Sequence, residues 1–413
     1  LYGDNVTIRN SNFTFSIALV RGGTIAAHNS NNAVIDNCLF NKSVGAGYVD
    51  ESSIPYGDGG AIYWENSKNL NITNSRFEDT ESHANGGAIY LMNCSDSRIY
   101  NTAFHGQIAL HDGGSIYWVN STNIVIEKCD FSAAASANGN GGGAIYLSGV
   151  DDATVCYVKF NNTSALWGNG GAIYVSGNAT IHHGTFANYE AYEDYAGGIY
   201  FKDGHSIIYD LLMDGPDALW VGVLANVTIS NVNITGTRPN KKTTYLIDEY
   251  DSRYNKYDYA LWNDGTVSLD NNTFAYIIFN NGTILTNTTI KMLDNETWNV
   301  TWNDNFTFWA TITDDNNNTI ISVHTLWTYN DVYQDVAHSY LLPYNADVFQ
   351  CIFQGDFHLN ASDVGLPKAK IYFGGVRVKL PTNITITPSD LTLEEITFTA
   401  KIETPVNSNY TIQ

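Results

Sequence analysis

The sequence predicts an all-β protein, a parallel β-helix of about ten coils over residues 1–291 followed by an Ig-like β-sandwich, and three observations carry that prediction. Nearly the same line of residues recurs along the first part of the chain: GGAIYWENSKNLNITNSRF from Gly59, GGAIYLMNCSDSRIYNTAF from Gly86 and GGSIYWVNSTNIVIEKCDF from Gly113. Within each line apolar residues alternate with period two, the spacing of a strand with one buried face, and no helical period survives. From about Met292 the repeat gives way to alternating strands joined by Asp/Asn turns.

The repeat has two independent anchors. An aliphatic residue after the glycines stands at Ile25, Ile62, Ile89, Ile116, Ile145, Ile173 and Ile199, with spacings of 37, 27, 27, 29, 28 and 26 residues. An aromatic closes each line at Phe13, Phe40, Phe77, Phe104, Phe131, Phe160 and Phe186, and an inward Ile or Val precedes it by five residues, from Ile8 and Ile35 to Ile181. Short strands, polar turns and such a period fit a solenoid whose coils lie about 4.8 Å apart. Asn recurs at two corners, as Asn10, Asn37, Asn74, Asn101 and as Asn29, Asn66, Asn93, Asn120, where its side chain can satisfy turn backbone and bond amide to amide between coils. The Gly-Gly pairs supply unusual dihedrals or close approach; no helix or Lys follows to make a phosphate loop. Cys38 and Cys129 take small core positions three coils apart, about 14 Å, too far for a disulfide. With five cysteines in all, no disulfide framework is expected.

The array continues more weakly from Asp217, Tyr259 and Tyr276, and two insertions interrupt it, Asn41 to Asp58 and Gly236 to Asp258. Residues 292–379 read as the sandwich, and residues 380–413 as the opening strands of a further module or C-terminal strands. The opening LYGDNVTIRN and this stub suggest an excised piece of a longer chain, continuing as a stalk.

Composition excludes several classes. The net charge of -22 repels phosphate backbones and anionic lipid surfaces, so nucleic acid is not an expected partner. No apolar run approaches the roughly 20 residues of a spanning helix, so membrane attachment is expected only through a part of the chain not present here. Charged residues are only 15% of the chain, a secreted or cell-surface texture, and about twenty N-x-S/T sequons accompany it. Among these, Asn5, Asn71, Asn120, Asn178, Asn226, Asn281, Asn299 and Asn383 are candidate glycosylation sites.

The GGAIY lines with their INxxF-like ends, followed by NGTILTNTTIKMLDNETWNVTWNDNFTFWATITDDNNNTI, resemble the large adhesin-like surface proteins of methanogenic archaea. That resemblance implies pectate-lyase-like right-handed β-helix repeats joined to tandem bacterial Ig-like stalk modules. The glycine and Phe/Asn repeats are also similar to those of chlamydial polymorphic outer-membrane proteins. Nearly the whole chain is covered, and the motifs specify fold and surface display rather than a ligand.

A β-helix can also host polysaccharide lyases and glycosidases, which need converging carboxylates or a Ca²⁺ cluster with a base. The candidates are Asp58 and Asp112 before glycine corners, the pair Asp151 and Asp152, and His182 to Gly184. Turn-forming acids account for the first four, and no metal or cofactor is expected. His83, His105 and His111 fall on the loop side of successive coils, too few to complete a metal shell. The expected binding surface is aromatic. Tyr63, Tyr90, Tyr117, Tyr146, Tyr174 and Tyr200 each follow an inward Ile, so alternation turns them outward as a stripe suited to sugar rings or peptide. Trp167, Tyr189, Tyr192 and Tyr195 extend it. The expected function is therefore an extracellular, non-catalytic adhesin whose partners are glycans or proteins on another cell. The alternatives are a carbohydrate-active enzyme and a self-assembling structural or filament protein.

Overall fold

The computed structural model describes residues 1–47, 57–191, 196–236 and 259–292, and beyond them residues 316–318 and a set of strands between Trp298 and Glu403. The chain divides into two units, one comprising residues 1–287 with 314–323 and 365–367, the other the remainder.

In the first unit each repeat is one coil, and the pairings between coils are parallel, in register along the Ile and Phe columns and shifted locally near Ser148, Val175, Phe201 and Tyr259. Ile25 faces Ile62, which faces Ile89, and the column runs on through Ile116, Ile145, Ile173 and Ile199 to Leu219. The second anchor forms its own column, Phe13 to Phe186, in a sheet whose path of ten strands runs from Asn12–Thr14 to Thr273–Phe274. Their rings stack with centroids 4.7–5.1 Å apart, the coil rise itself. From Phe40 onward the Phe column is buried, and so is the Ile column facing it; each such side chain contributes about 1.5–3 kcal/mol of burial. The four cysteines among the described residues, Cys38, Cys94, Cys129 and Cys156, are free and buried.

The polar corners follow from the same register. Asn10, Asn37, Asn74 and Asn101 all take left-handed backbone, φ 48–53°, which Asn tolerates better than most residues. Their amides then bond up the stack, Asn37 to Asn10 at 2.7 Å and Asn101 to Asn74 at 2.8 Å. Asn93 bonds Asn66 likewise at 2.8 Å, and Asn69 bonds Asn32 at 2.8 Å. The Gly-Gly corner needs both glycines for different reasons. The first, Gly86, has φ +69°, while a Cβ on the second, Gly87, would lie 2.0 Å from the Gly114 carbonyl oxygen of the next coil.

One boundary differs from the sequence reading. Val44–Gly45 pairs with Ile17–Ala18 and with Glu81–Ser82, so the first insertion begins after residue 47 rather than at Asn41, because Lys42 still turns the regular corner. Most of the two insertions, residues 48–56 and 237–258, lies outside the described residues. Thr319–Ser322, inside the span read as sandwich, adds a parallel strand to Ile277–Asn280. In the second unit Leu326–Tyr329 pairs antiparallel with Val332–Asp335 and Phe357–Leu359, Asn383–Leu391 pairs antiparallel with Ile396–Glu403, and Trp298–Thr301 runs parallel to Val376–Lys379.

Two substitutions separate the contributions of core and corner. Phe104→Ala is expected to lower the unfolding free energy by about 3–5 kcal/mol. Asn74→Ala should cost about 1–2 kcal/mol, because it loses left-handed tolerance together with its bonds to Asp36 and Asn101. Asn74→Gly should cost less than Asn74→Ala; urea unfolding that ranks the two the other way would contradict this account of the corner.

Candidate binding site

The tyrosine stripe is in register but is not an exposed surface. Tyr63, Tyr90, Tyr117 and Tyr146 stack with centroids 4.9–5.0 Å apart and planes within 11°. Tyr174 follows at 4.4 Å and Tyr200 at 5.3 Å. Each ring covers its neighbours' faces, which leaves Tyr63 1%, Tyr90 9%, Tyr146 6% and Tyr174 3% exposed; Tyr117 and Tyr200 are half-buried. Met92 and Val119 pack against the row. At one end the Tyr63 hydroxyl donates to Glu65, which also holds His28, and accepts from Arg21 at 2.9 Å. Burial pushes the phenols well above their ordinary pKa, so they keep their protons. The expectation of a solvent-facing ladder is thus corrected: outward from the sheet is not outward to water when identical rings lie one coil apart. Tyr189 is buried as well, its hydroxyl donating to the Gly215 carbonyl at 2.6 Å, whereas Trp167 is 59% exposed. Tyr192 and Tyr195 lie outside the described residues.

The carboxylates before the glycine corners form a mixed ladder. Asn85 donates from its side chain to Asp58 at 3.0 Å, Asp112 receives Gly141 N–H at 2.8 Å and the Asn140 amide at 3.3 Å, and Asn85 accepts from Asp112 N–H at 3.2 Å. Both Asp side chains are buried, and desolvation raises their pKa above the usual value of 3.8. Asp151 and Asp152 are exposed, Asp151 accepting from Asn178. His83 lies 3.5 Å from Glu81 and His105 bonds Ser132 at 2.8 Å. Among the described residues no three His, Cys, Asp or Glu side chains gather as a metal cluster.

What the sequence reading missed is a break in one Asn column. At the corner where other coils carry Asn10, Asn37, Asn74, Asn101, Asn231 and Asn271, four consecutive coils carry Lys128, Tyr157, His183 and Asp210, and all four keep the left-handed backbone at φ 53–55°. For Tyr157 that conformation is uncommon, whereas His183 and Asp210 tolerate it better. One residue earlier in each coil, the outward positions of the sheet are Glu127, Cys156, His182 and Tyr209, preceded by Tyr100. Arg98 bonds Glu127 at 2.5 Å and lies 4.2 Å from the Tyr100 ring centre, while Lys128 bonds the Tyr100 hydroxyl at 3.1 Å. Tyr157, 48% exposed, stacks on His183 at 4.7 Å, and His182 stacks on Tyr209 at 4.6 Å. The two imidazoles meet Nδ1 to Nδ1 at 2.7 Å, and Asp210 lies 3.5 Å from His183 Nε2. Desolvation and the neighbouring His183 lower the His182 pKa. The Cys156 thiol beneath is buried, and desolvation raises its pKa. The result is a strip of rings and opposite charges on a rigid wall, suited to stacking and hydrogen bonding.

The sequons divide by geometry. Asn5, Asn120 and Asn226 are exposed, while Asn71 is half-buried. Asn178 and Asn281 use their amides to bond Asp151 and Asp264. Asn299 and Asn383 fall in strands described by backbone alone.

The buried carboxylates generate a pH prediction. A folded-state pKa raised above the unfolded value means that stability is fully present below about pH 3.8 and is lost as pH rises through the folded value. Asp58→Asn with Asp112→Asn, which copies Asn85 and Asn169 at the same corner, should therefore raise Tm at pH 7. The gain should shrink to nothing as the pH is lowered below 3.8, and a gain independent of pH would refute it.

Comparison with curated proteins and with solved structures returns no match. Residues 47–205 match a family model described as a right handed beta helix region, so the coils of the first unit form a right-handed parallel β-helix.

Proposed function

We propose that the protein is an extracellular, non-catalytic surface adhesin that attaches to glycans or proteins of another cell through the outer wall of its β-helix, with the second unit serving as an Ig-like stalk. The observation that carries this reading is the corner row Lys128, Tyr157, His183 and Asp210, where Asn would suit the scaffold better and exposed rings stand instead. Aromatic faces beside polar tips offer contact area at low entropic cost, and the backbone ladder beneath holds them in place. Trp167 is a second exposed ring with the same chemistry. Attachment here moves from the buried tyrosine stripe to this row.

Tyr157→Asn with His183→Asn introduces the residue that the coils on either side of the four-coil row use. The double variant is expected to match or exceed the parent in unfolding free energy, by up to about 1 kcal/mol per site from relieved backbone. Attachment in a whole-cell and glycan-array screen should nevertheless fall at least tenfold; undiminished attachment would remove the row from the binding surface.

A carbohydrate-active enzyme is the second reading, favoured by Asp210 beside His183, since a carboxylate-supported imidazole is one form a general base takes. Cleavage of polygalacturonate or host glycans by the purified protein, lost in Asp210→Asn, would replace the first reading with this one.

A further inference from the structure

We propose that His182 and His183 form a two-nitrogen chelate for a divalent first-row metal ion of the imidazole-preferring kind, with copper(II) held most tightly. Adjacent residues of a strand point to opposite faces, yet these two rings meet on one side, because His183 leaves the strand through φ 53°. Their Nδ1 atoms face each other at 2.7 Å. Two imidazole lone pairs cannot face each other without a proton or a cation between them. The Asp210 carboxylate, 3.5 Å from His183 Nε2, draws the ring proton to that nitrogen and leaves the lone pair on Nδ1. A carboxylate behind a ligating histidine is the outer support that metal sites use.

The rings are held in plane from both sides. Tyr209 stacks on His182 with planes 4° apart, and Tyr157 stacks on His183 with planes 27° apart. Two nitrogens bound to one ion at about 2.0–2.1 Å sit roughly 2.9–3.4 Å from each other, so the rings need open only by a few tenths of an ångström. With two protein nitrogens the remaining coordination positions stay open to water or to an oxygen ligand. Imidazole donors and the general order of affinities put copper(II) first.

Copper(II) chloride titrated into the purified full chain and followed by electron paramagnetic resonance is expected to show one site split by two nitrogen nuclei. His182→Asn or His183→Asn should weaken that site at least tenfold and erase the pattern, and Asp210→Asn should weaken it about tenfold with the pattern kept. Asn is the residue that coils outside the row carry at the His183 corner, and thermal unfolding checks that each variant is folded. A two-nitrogen site that survives both histidine substitutions, or no such site in the folded parent, overturns the proposal. Metal binding is read without an attachment assay, so this inference and the adhesin reading can fail separately.

Discussion

The first unit depends on one constraint, the in-register parallel hydrogen bonding of each coil to the next. Once the period is fixed, every residue meets its own counterpart one coil away, and the side chains must be of kinds that tolerate their own likeness. Aliphatic, aromatic and amide side chains do: Ile62 lies on Ile89, Phe77 stacks on Phe104, and Asn101 bonds Asn74. Like charges directly opposite are destabilising, so charged residues occur where the column alternates. Arg98 meets Glu127, Asp36 receives Thr73 and Asn74, and Asn85 separates Asp58 from Asp112.

The same constraint explains what could be read in advance. The columns of Ile, Phe, Asn and Gly-Gly are visible in the sequence because stacking makes them repeat, and each stands where its spacing put it. The burial of Tyr90 and Tyr146 was not visible, since alternation reports which side of a sheet a residue leaves from, and neighbouring rings decide how much water reaches it. The first insertion was drawn too long because Lys42 turns the corner without the expected residue type. Tyr157 escaped for the opposite reason, and His183, noted only within the stretch His182 to Gly184, was not seen as part of a broken column. A search for repeated chemistry passes over the positions where repetition stops, and the signal was a departure from a column rather than a motif.

That departure distinguishes support from recognition more sharply than exposure does. A corner needs a left-handed residue and a bond between coils for its side chain, and Asn supplies both; Tyr157 suits the left-handed backbone less well, and His183 bonds His182 of its own coil instead, yet the backbone holds them at φ 55° and 53°. The coils above and below over-determine that geometry, through ladders that the substituted side chains do not take part in. A solenoid can therefore carry strained, pre-positioned rings at little risk to its fold, because the loss falls on one corner while the rest of the coil stays paired. Rigid support of this kind lowers the entropy lost on binding, which matters most for a flat surface that must gain its affinity from a few stacked rings. The two columns differ in what they leave to solvent: the tyrosine rings are buried or half-buried in the wall, and the interrupted Asn column leaves Lys128, Tyr157, His183 and Asp210 exposed on it.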